Sequence, residues 1–382
     1  MRDILVFFGG KSCEHDVSVI TGVLTLNSLD KTLFNGIPVY VTRQGEWLTG
    51  DELKNVSFYK RKDFSMLKKA TFISGSDKFY AVKRNKLKAI STPYSVINCL
   101  HGLNGEDGTL AGLVKFLSIP FVSPSLFQSA FSIDKHFTKL VLGGIKVKTL
   151  NYALVKREGF YLDKESALSG VENKINYPVI VKPANLGSSI GISLAGDRLE
   201  LEKALKTSFL YDDKSVVEPM LPNPVELNCS AYRTSGKTVV SQIEKPIKAS
   251  EILSFQDKYY GFKGGEGGRE FPAKLPIELE KKIKQTTKKI YEELEFSGVI
   301  RIDYLLDNKT LYVNEINSVP GSLSYYLNGS LQDFTVRLTD LIKESVKENA
   351  EYKSRRFNFE SSVLEIEGVK GGSKSFDKKK GK

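Results

Sequence analysis

The run "GVIRIDYLLDNKTLYVNEIN" (298–317) buries charged and amide residues inside two apolar stretches, where solvent contact alone does not account for them. The intervening "DNK" predicts a β-hairpin. On a strand, residues two apart share a face, so Arg301 points with Asp303, and Glu315 points with Asn317. Folding about Lys309 sets Asp303 opposite Glu315. Two carboxylates and an amide oxygen at one point suit a hard cation, magnesium or manganese, carrying phosphates. Arg301 beside them suits a carboxylate or an oxyanion. A cross-strand salt bridge between Arg301 and an acid is the other reading of the same pattern.

A second stretch, "YPVIVKPANLGSSIGIS" (177–193), ends an apolar strand in Lys182, passes through a Gly/Ser loop and enters another β-like run. Phosphate loops and dinucleotide fingerprints need a helix directly after their glycines, and none is predicted here. Glycines between two strands make a flap whose amides can close over a polyphosphate, with Lys182 as a point charge. The alternative is a hairpin turn with an exposed lysine.

Positioning these groups takes a scaffold. The first hundred residues alternate strand and helix signals: "DILVFF", "HDVSVITGVLTLNSL", "GIPVYVTRQGEWL", "YSVINCLHG", "GTLAGLVKFLSI" and "PFVS". This rhythm predicts a mostly parallel sheet, with ligands at the loops after its strands. "GGKSCEH" and "HGLNGEDG" lie there. From Ser123 the pattern changes. "SAFSIDKHFTKLVLGGI" reads as one helix, and residues 216–317 as antiparallel strands with one long helix, "IELEKKIKQTTKKIYEEL". A last helix, "SLQDFTVRLTDLIKESVKENA", precedes an aperiodic Lys/Gly-rich end.

The net charge is +11, of which residues 369–382 supply +5. The rest is mildly basic, which suits anionic small molecules, and no basic stripe interleaves with aromatics, so no nucleic-acid partner is expected. Cys13, Cys99 and Cys229 show no metal or disulfide spacing and read as buried free thiols of a reducing compartment. The N-terminus reads as a strand, not a signal peptide, and no apolar run approaches the ~20 residues of a membrane span. A cytoplasmic protein without membrane insertion is the expectation.

Together, "GGKSCEHDVS", "LHGLNGEDGTLAG", "IDKHFTK", "VKPANLGSSIGIS", "DKYY", "RIDYLL" and "NEINSVPGS" resemble, in order, the D-alanine–D-alanine ligases of the ATP-grasp superfamily, over roughly residues 1–345. The resemblance implies an α/β fold, α+β in part: an N-terminal parallel-sheet α/β substrate domain (1–122), a central ATP-grasp subdomain with the phosphate flap (123–212), a C-terminal ATP-grasp subdomain with antiparallel strands and the metal site (213–350), and a disordered tail (353–382). It implies ATP and two Mg2+ or Mn2+ as cofactors. ATP phosphorylates one D-alanine to an acyl phosphate, and a second D-alanine attacks it, for peptidoglycan precursor synthesis.

Residue by residue, the resemblance makes Asp303, Glu315 and Asn317 the metal ligands and Lys135 and Lys182 the nucleotide-phosphate lysines. Ser188, with Ser189 beside it in the flap, positions phosphate and the first substrate. Glu218 falls at the adenine-binding linker, and Glu226 matches the ribose-binding acid. Arg301 and the Gly321 amide hold the reacting oxyanion. Lys258 and Tyr259 belong to a loop that covers the site. Glu14 receives the first substrate's ammonium group, although an acid in a helix's first turn is also favoured by the helix dipole. His101 matches a histidine near that site; a structural role at the end of a buried strand stays open. His15 and His136 receive no role. A homodimer through the first domain is implied.

Two departures fall on the acceptor side. Tyr326 stands where the family has a serine that binds the second substrate's carboxylate, with Ser322 or Ser324 as substitutes after a local shift. The covering loop, "GFKGGEGGREF", is long and glycine-rich. A related ligase using D-lactate, D-serine or another amino acid as acceptor is therefore the alternative reading.

Overall fold

The computed structural model describes residues 1–61, 63–84, 86–247 and 268–356, with Phe359 and Ser361. The expected disordered tail lies almost wholly outside these residues. An eight-stranded sheet is built from β1 (Arg2–Gly9), β2 (Phe34–Val41), β3 (Trp47–Thr49), β4 (Lys68–Phe72), β5 (Phe79–Lys83), β6 (Lys86–Ser91), β7 (Ser95–Asn98) and β8 (Phe121–Val122), in the order β6-β5-β4-β3-β2-β1-β7-β8. Ile4 to Phe8 are fully buried, as in a strand covered on both faces. The parallel strands anticipated from the sequence are β2-β1-β7-β8. Strands β3 to β6 extend the sheet antiparallel. Helix α1 (His15–Ser28) covers one face, packing Val19 and Val23 onto Ile4, Val6 and Phe8; α2 (Thr109–Phe116) puts Leu110 and Val114 against Leu5 and Phe7 on the other.

The single helix expected around "SIDKHF" is two helices, α3 (Leu126–Ile133) and α4 (Lys135–Gly144). Asp134 breaks them. Its backbone is extended, and its carboxylate accepts from the amides of His136 (2.9 Å) and Phe137 (3.2 Å). That is a helix N-cap, which an aspartate favours over continued helix.

The second sheet has the order β11-β10-β12-β9, formed from β9 (Ala153–Lys156), β10 (Val179–Pro183), β11 (Ser193–Ala195) and β12 (Lys214–Pro219). Helices α5 (Arg157–Leu162), α6 (Lys164–Glu172) and α7 (Arg198–Ser208) accompany it, with Leu168 and Leu201 packed on Val179 and Val181. Strands β10 and β11 pair antiparallel, so the glycine loop joins two strands, as the sequence suggested.

The third sheet contains β13 (Val225–Thr234) and β14 (Lys237–Val240); the pair β15 (Lys245–Pro246) and β16 (Arg269–Glu270) and helix α8 (Ile277–Glu293) follow in the chain. Strands β17 (Val299–Asp307) and β18 (Thr310–Asn317) complete it in the order β14-β13-β17-β18. Ile300, Ile302 and Tyr304 pack on Ile283 and Ile290 of α8 and on Phe131 and Leu142 of α3 and α4. The alternate residues Arg301 and Asp303 are thereby turned to the opposite face. Helix α9 (Leu331–Lys353) starts with a reciprocal cap between Ser330 and Asp333 and lays Phe334 and Leu338 on the first sheet, beside α1.

Candidate active site

Asp303 pairs with Glu315 and Arg301 with Asn317 across β17 and β18, but near the turn the register is Asp307 with Thr310. Continued unbroken, that register would put Asn314 opposite Asp303. A β-bulge between Asp303 and Tyr304 absorbs the extra residue, and bulges commonly re-aim side chains at sites. Glu315 therefore faces Asp303, and Asn314 is freed to meet Lys182, whose ammonium donates to its Oδ1 at 3.2 Å.

Arg301 grips Asp303 through two bonds, Nε to Oδ1 at 2.6 Å and Nη2 to Oδ2 at 2.8 Å. The ion pair runs along β17 between residues two apart, not across the strands as the alternative reading had it. It coexists with the cation reading, because each carboxylate oxygen keeps a second lone-pair direction. Asn317 carries a buried Nδ2 with no hydrogen-bond partner among the described residues. Amide orientation is an assignment, and the reversed amide offers its oxygen there instead. Among the described residues no group of three or more His, Cys, Asp or Glu gathers; this set has two carboxylates and an amide, all hard donors that fit magnesium or manganese.

A cleft opens between the second and third sheets, walled by Leu150, Ile180, Met220 and Leu221 and edged by Ser189, Glu226, Asp303 and Glu315. Lys135, at the start of α4, donates to the Leu186 carbonyl at 2.6 Å and stands 3.9 Å from Glu315. Lys182 lies 2.5 Å from Glu218 Oε2. Lys139 holds the other Glu218 oxygen. Burial opposes the Glu218 charge, yet the two ammonium groups outweigh it and bring its pKa down to about 2. Burial likewise opposes the Lys182 charge, but Glu218, Glu315 and Glu226 hold its pKa up. The linker after Glu218 lines the cleft as expected, while the Glu218 carboxylate itself is turned onto the lysines.

Glu14 and Glu106 form a more acidic corner. The Ser188 hydroxyl donates to Glu14 Oε1 in a close contact. Gly102 and Gly187 both crowd that carboxylate: a Cβ on either would stand about 3.1–3.2 Å from a Glu14 oxygen. Ser188 and Ser189 have left-handed backbones, φ 52° and 59°, a strained conformation of the kind that collects at ligand clamps. Glu106 accepts from the Gly102 amide (2.9 Å) and the Val319 amide (3.1 Å). Burial, and then the nearby charge of Glu14, raises its pKa.

His101 is buried and bonded to Thr21 Oγ1 at 2.9 Å, and that oxygen also accepts from the Ser322 amide at 3.0 Å. Burial brings the His101 pKa down to about 4, so the ring is neutral at physiological pH. The histidine thus clamps the turn that follows Gly321. Ser322, Leu323 and Ser324 in that turn are all left-handed. Ser324 is fully buried with an unpartnered Oγ among the described residues, and Tyr326 takes a bond from Arg301 Nη1 at 3.2 Å. Tyr326 is thereby joined to the Arg301–Asp303 pair.

Lys258 and Tyr259 lie outside the described residues. Cys13 is exposed, against the expectation of three buried thiols, because it precedes α1 in the loop beside Glu14; Cys99 and Cys229 are buried. Sequence reasoning passed over Glu106, Lys139, Thr21 and Asn314. Lys139 had a legible signal: four residues after Lys135 on a helix, it shares that lysine's face.

Comparison with known proteins adds the following. The family model described as "D-ala D-ala ligase N-terminus" matches residues 3–124, and "D-ala D-ala ligase C-terminus" matches residues 141–347. A D-alanine–D-alanine ligase of Thermosipho melanesiensis is 39% identical over 337 residues, covering 86% of this chain and 88% of that protein. One of Thermosipho africanus is 33% identical over 376 residues, covering 96% and 99%. Among solved structures, the D-alanine–D-alanine ligase of Helicobacter pylori superposes with a TM-score of 0.71 at 27% identity, covering 90% of this chain and 98% of that one. The VanG D-Ala:D-Ser ligase of Enterococcus faecalis, with a TM-score of 0.74 at 24% identity, covers 91% and 99% and shares the fold.

Proposed function

The chain belongs to the family of D-alanine–D-alanine ligases, and from that premise we propose how its residues divide the work. The reaction is the ATP-dependent joining of two D-alanines to D-alanyl-D-alanine for peptidoglycan precursor synthesis. The adenine ring enters between Ile180 and the linker at Met220 and Leu221, with Glu226 on the ribose. Lys135 and Lys182 meet the phosphates as point charges, and the flap with Ser188 and Ser189 closes over them. Asp303, Glu315 and Asn317 would hold the divalent cations, which when bound neutralise phosphate charge.

Glu14, steadied by Ser188, receives the ammonium of the first D-alanine. The carboxylate oxygen of that D-alanine attacks the γ-phosphorus, ADP departs, and a D-alanyl phosphate remains. The amine of the second D-alanine, having lost a proton, attacks the acyl carbon, and phosphate leaves. Arg301 and the Gly321 amide stabilise charge on the acyl oxygen, and Tyr326 borders the acceptor.

One observation supports this reading above the others. Glu14 at the start of α1, Ser188 of the flap with Lys135 of α4, and Glu315 of the hairpin converge from three separate parts of the chain. These parts correspond to the divisions 1–122, 123–212 and 213–350. We assign the protein to the cytoplasm; among the described residues no helix is long and apolar enough to cross a membrane. A homodimer is supported by Leu113 and Phe116 of α2 and Leu126 and Phe127 of α3, all exposed on adjacent helices; light scattering tests it. The function itself is tested with ATP, magnesium and D-alanine. Phosphate and D-alanyl-D-alanine should appear together, and folded protein that binds ATP yet forms no dipeptide would remove the reading.

A further inference from the structure

Behind the nucleotide cleft, a single carboxylate is shared by two lysines. Glu218 is 2% exposed, and its Oε1 meets the Lys139 ammonium while its Oε2 lies 2.5 Å from Lys182. The two lysines differ in where they look. Lys182 lines the cleft and donates to Asn314. Lys139 is buried on the far side of Glu218, donates to the Leu150 carbonyl at 3.2 Å and lies over the Tyr152 ring at 5.4 Å. The Lys182 contact with Glu218 is a close ion pair, and the same ammonium also donates to Asn314 Oδ1 at 3.2 Å.

We propose that Lys139 is a positioning residue for nucleotide binding: by holding Glu218 from behind, it keeps that carboxylate from neutralising Lys182 and leaves a net positive charge facing the phosphates. The physical argument is charge balance in a water-poor setting. Two ammonium groups around one carboxylate leave a net +1, whereas Glu218 with Lys182 alone would be a neutral buried pair. In such surroundings Coulomb attraction is far stronger than in water, so an undivided Glu218 would compete with the nucleotide for Lys182. Lys135 and Lys139 are one helical turn apart on α4; the same short helix supplies one lysine to the cleft and one to its support.

This inference rests on Lys182 being a nucleotide-binding lysine, so Lys182→Ala is measured alongside. Lys139→Gln keeps a donor for Leu150 and Glu218 and removes only the charge; Lys139→Met removes both. In both variants the KM for ATP should rise about tenfold, as when a supporting group behind a ligand contact is lost, and ADP affinity by calorimetry should fall alike. KM for D-alanine should stay within about twofold, and Lys139→Arg should restore ATP binding. If the methionine variant does not fold, the glutamine variant decides. Lowered thermal stability with unchanged KM for ATP and ADP affinity in Lys139→Gln would mean a purely structural lysine and overturn the proposal. If Lys182→Ala also leaves ATP binding intact, the reading of the cleft falls; if Lys182→Ala is impaired and Lys139→Gln is not, only the role of Lys139 falls.

Discussion

Asp303 stands directly across the hairpin ladder from Glu315, and Arg301, two residues earlier on the same strand, grips it through both oxygens. The two carboxylates are therefore not equivalent. Asp303 has a structural debt to a buried guanidinium as well as an oxygen to offer a cation. Glu315 lies 3.9 Å from the Lys135 ammonium, and Arg301 is bonded to Asp303.

That asymmetry separates two substitutions. Asp303→Asn should lose at least about 100-fold in kcat/KM and also about 3 kcal/mol of stability, because it strands Arg301 in a buried site. Glu315→Gln should lose comparable activity with a smaller stability loss, because Arg301 keeps its pair with Asp303. Chemical denaturation beside steady-state kinetics checks this; equal stability losses would mean that Arg301 does not depend on Asp303.

Lys182→Ala should raise the KM for ATP by about 100-fold, as expected for loss of a charged contact to phosphate. Glu218 retains Lys139 as a partner, so the variant should still fold. Wild-type kinetics in a folded Lys182→Ala protein would remove this lysine from the nucleotide site.

How much of this was legible beforehand depended on distance along the chain. The hairpin and the flap follow from local period and turn residues, so both were readable, as was the pairing of Asp303 with Glu315. The bulge was not, because nothing in "LLDNKTLYVNEIN" marks where an extra residue is absorbed; Asn314 was missed for that reason. Glu106 reaches Val319 across 213 positions, and Thr21 reaches Ser322 across 301. Such contacts exist only once the first and third sheets are docked, and no local pattern announces them. The break at Asp134 is a milder case: helical periodicity runs through it, and the capping aspartate won.

Tyr326 offers a test on the acceptor side. Its hydroxyl accepts from Arg301 Nη1, and the Arg269 guanidinium lies 5.1 Å from its ring. Tyr326→Phe deletes the first contact and keeps the ring; Tyr326→Ser deletes both. The serine variant should raise the KM of the second D-alanine by about tenfold, with the phenylalanine variant in between, because a lost hydrogen bond in a specific pocket shifts selectivity strongly. KM for ATP should not move. Initial rates over a wide D-alanine range resolve the two substrate sites, and a change confined to ATP would place Tyr326 elsewhere.

His101 gives the pH prediction, and its sign follows from burial. The ring titrates near pH 6.5 when unfolded and is brought down to about 4 in the fold, first by burial and then by the charge of Arg301. Its stabilising contribution is therefore whole above pH 6.5. As pH falls toward 4 the unfolded chain takes up a proton that the folded chain refuses, and on the order of 3 kcal/mol is lost. Glu106 works in the opposite sense over much of this range. Its pKa is raised in the fold, so acidification favours the folded state through it. The histidine's share must be read as a difference between proteins. His101→Gln keeps a polar partner for Thr21 without a titrating ring. Between pH 7 and pH 4, denaturant midpoints of the wild type should fall further than those of the variant. Parallel pH profiles would mean that His101 is protonated in the fold, and the clamp from Thr21 to Ser322 would then have to carry a charge that its surroundings do not balance.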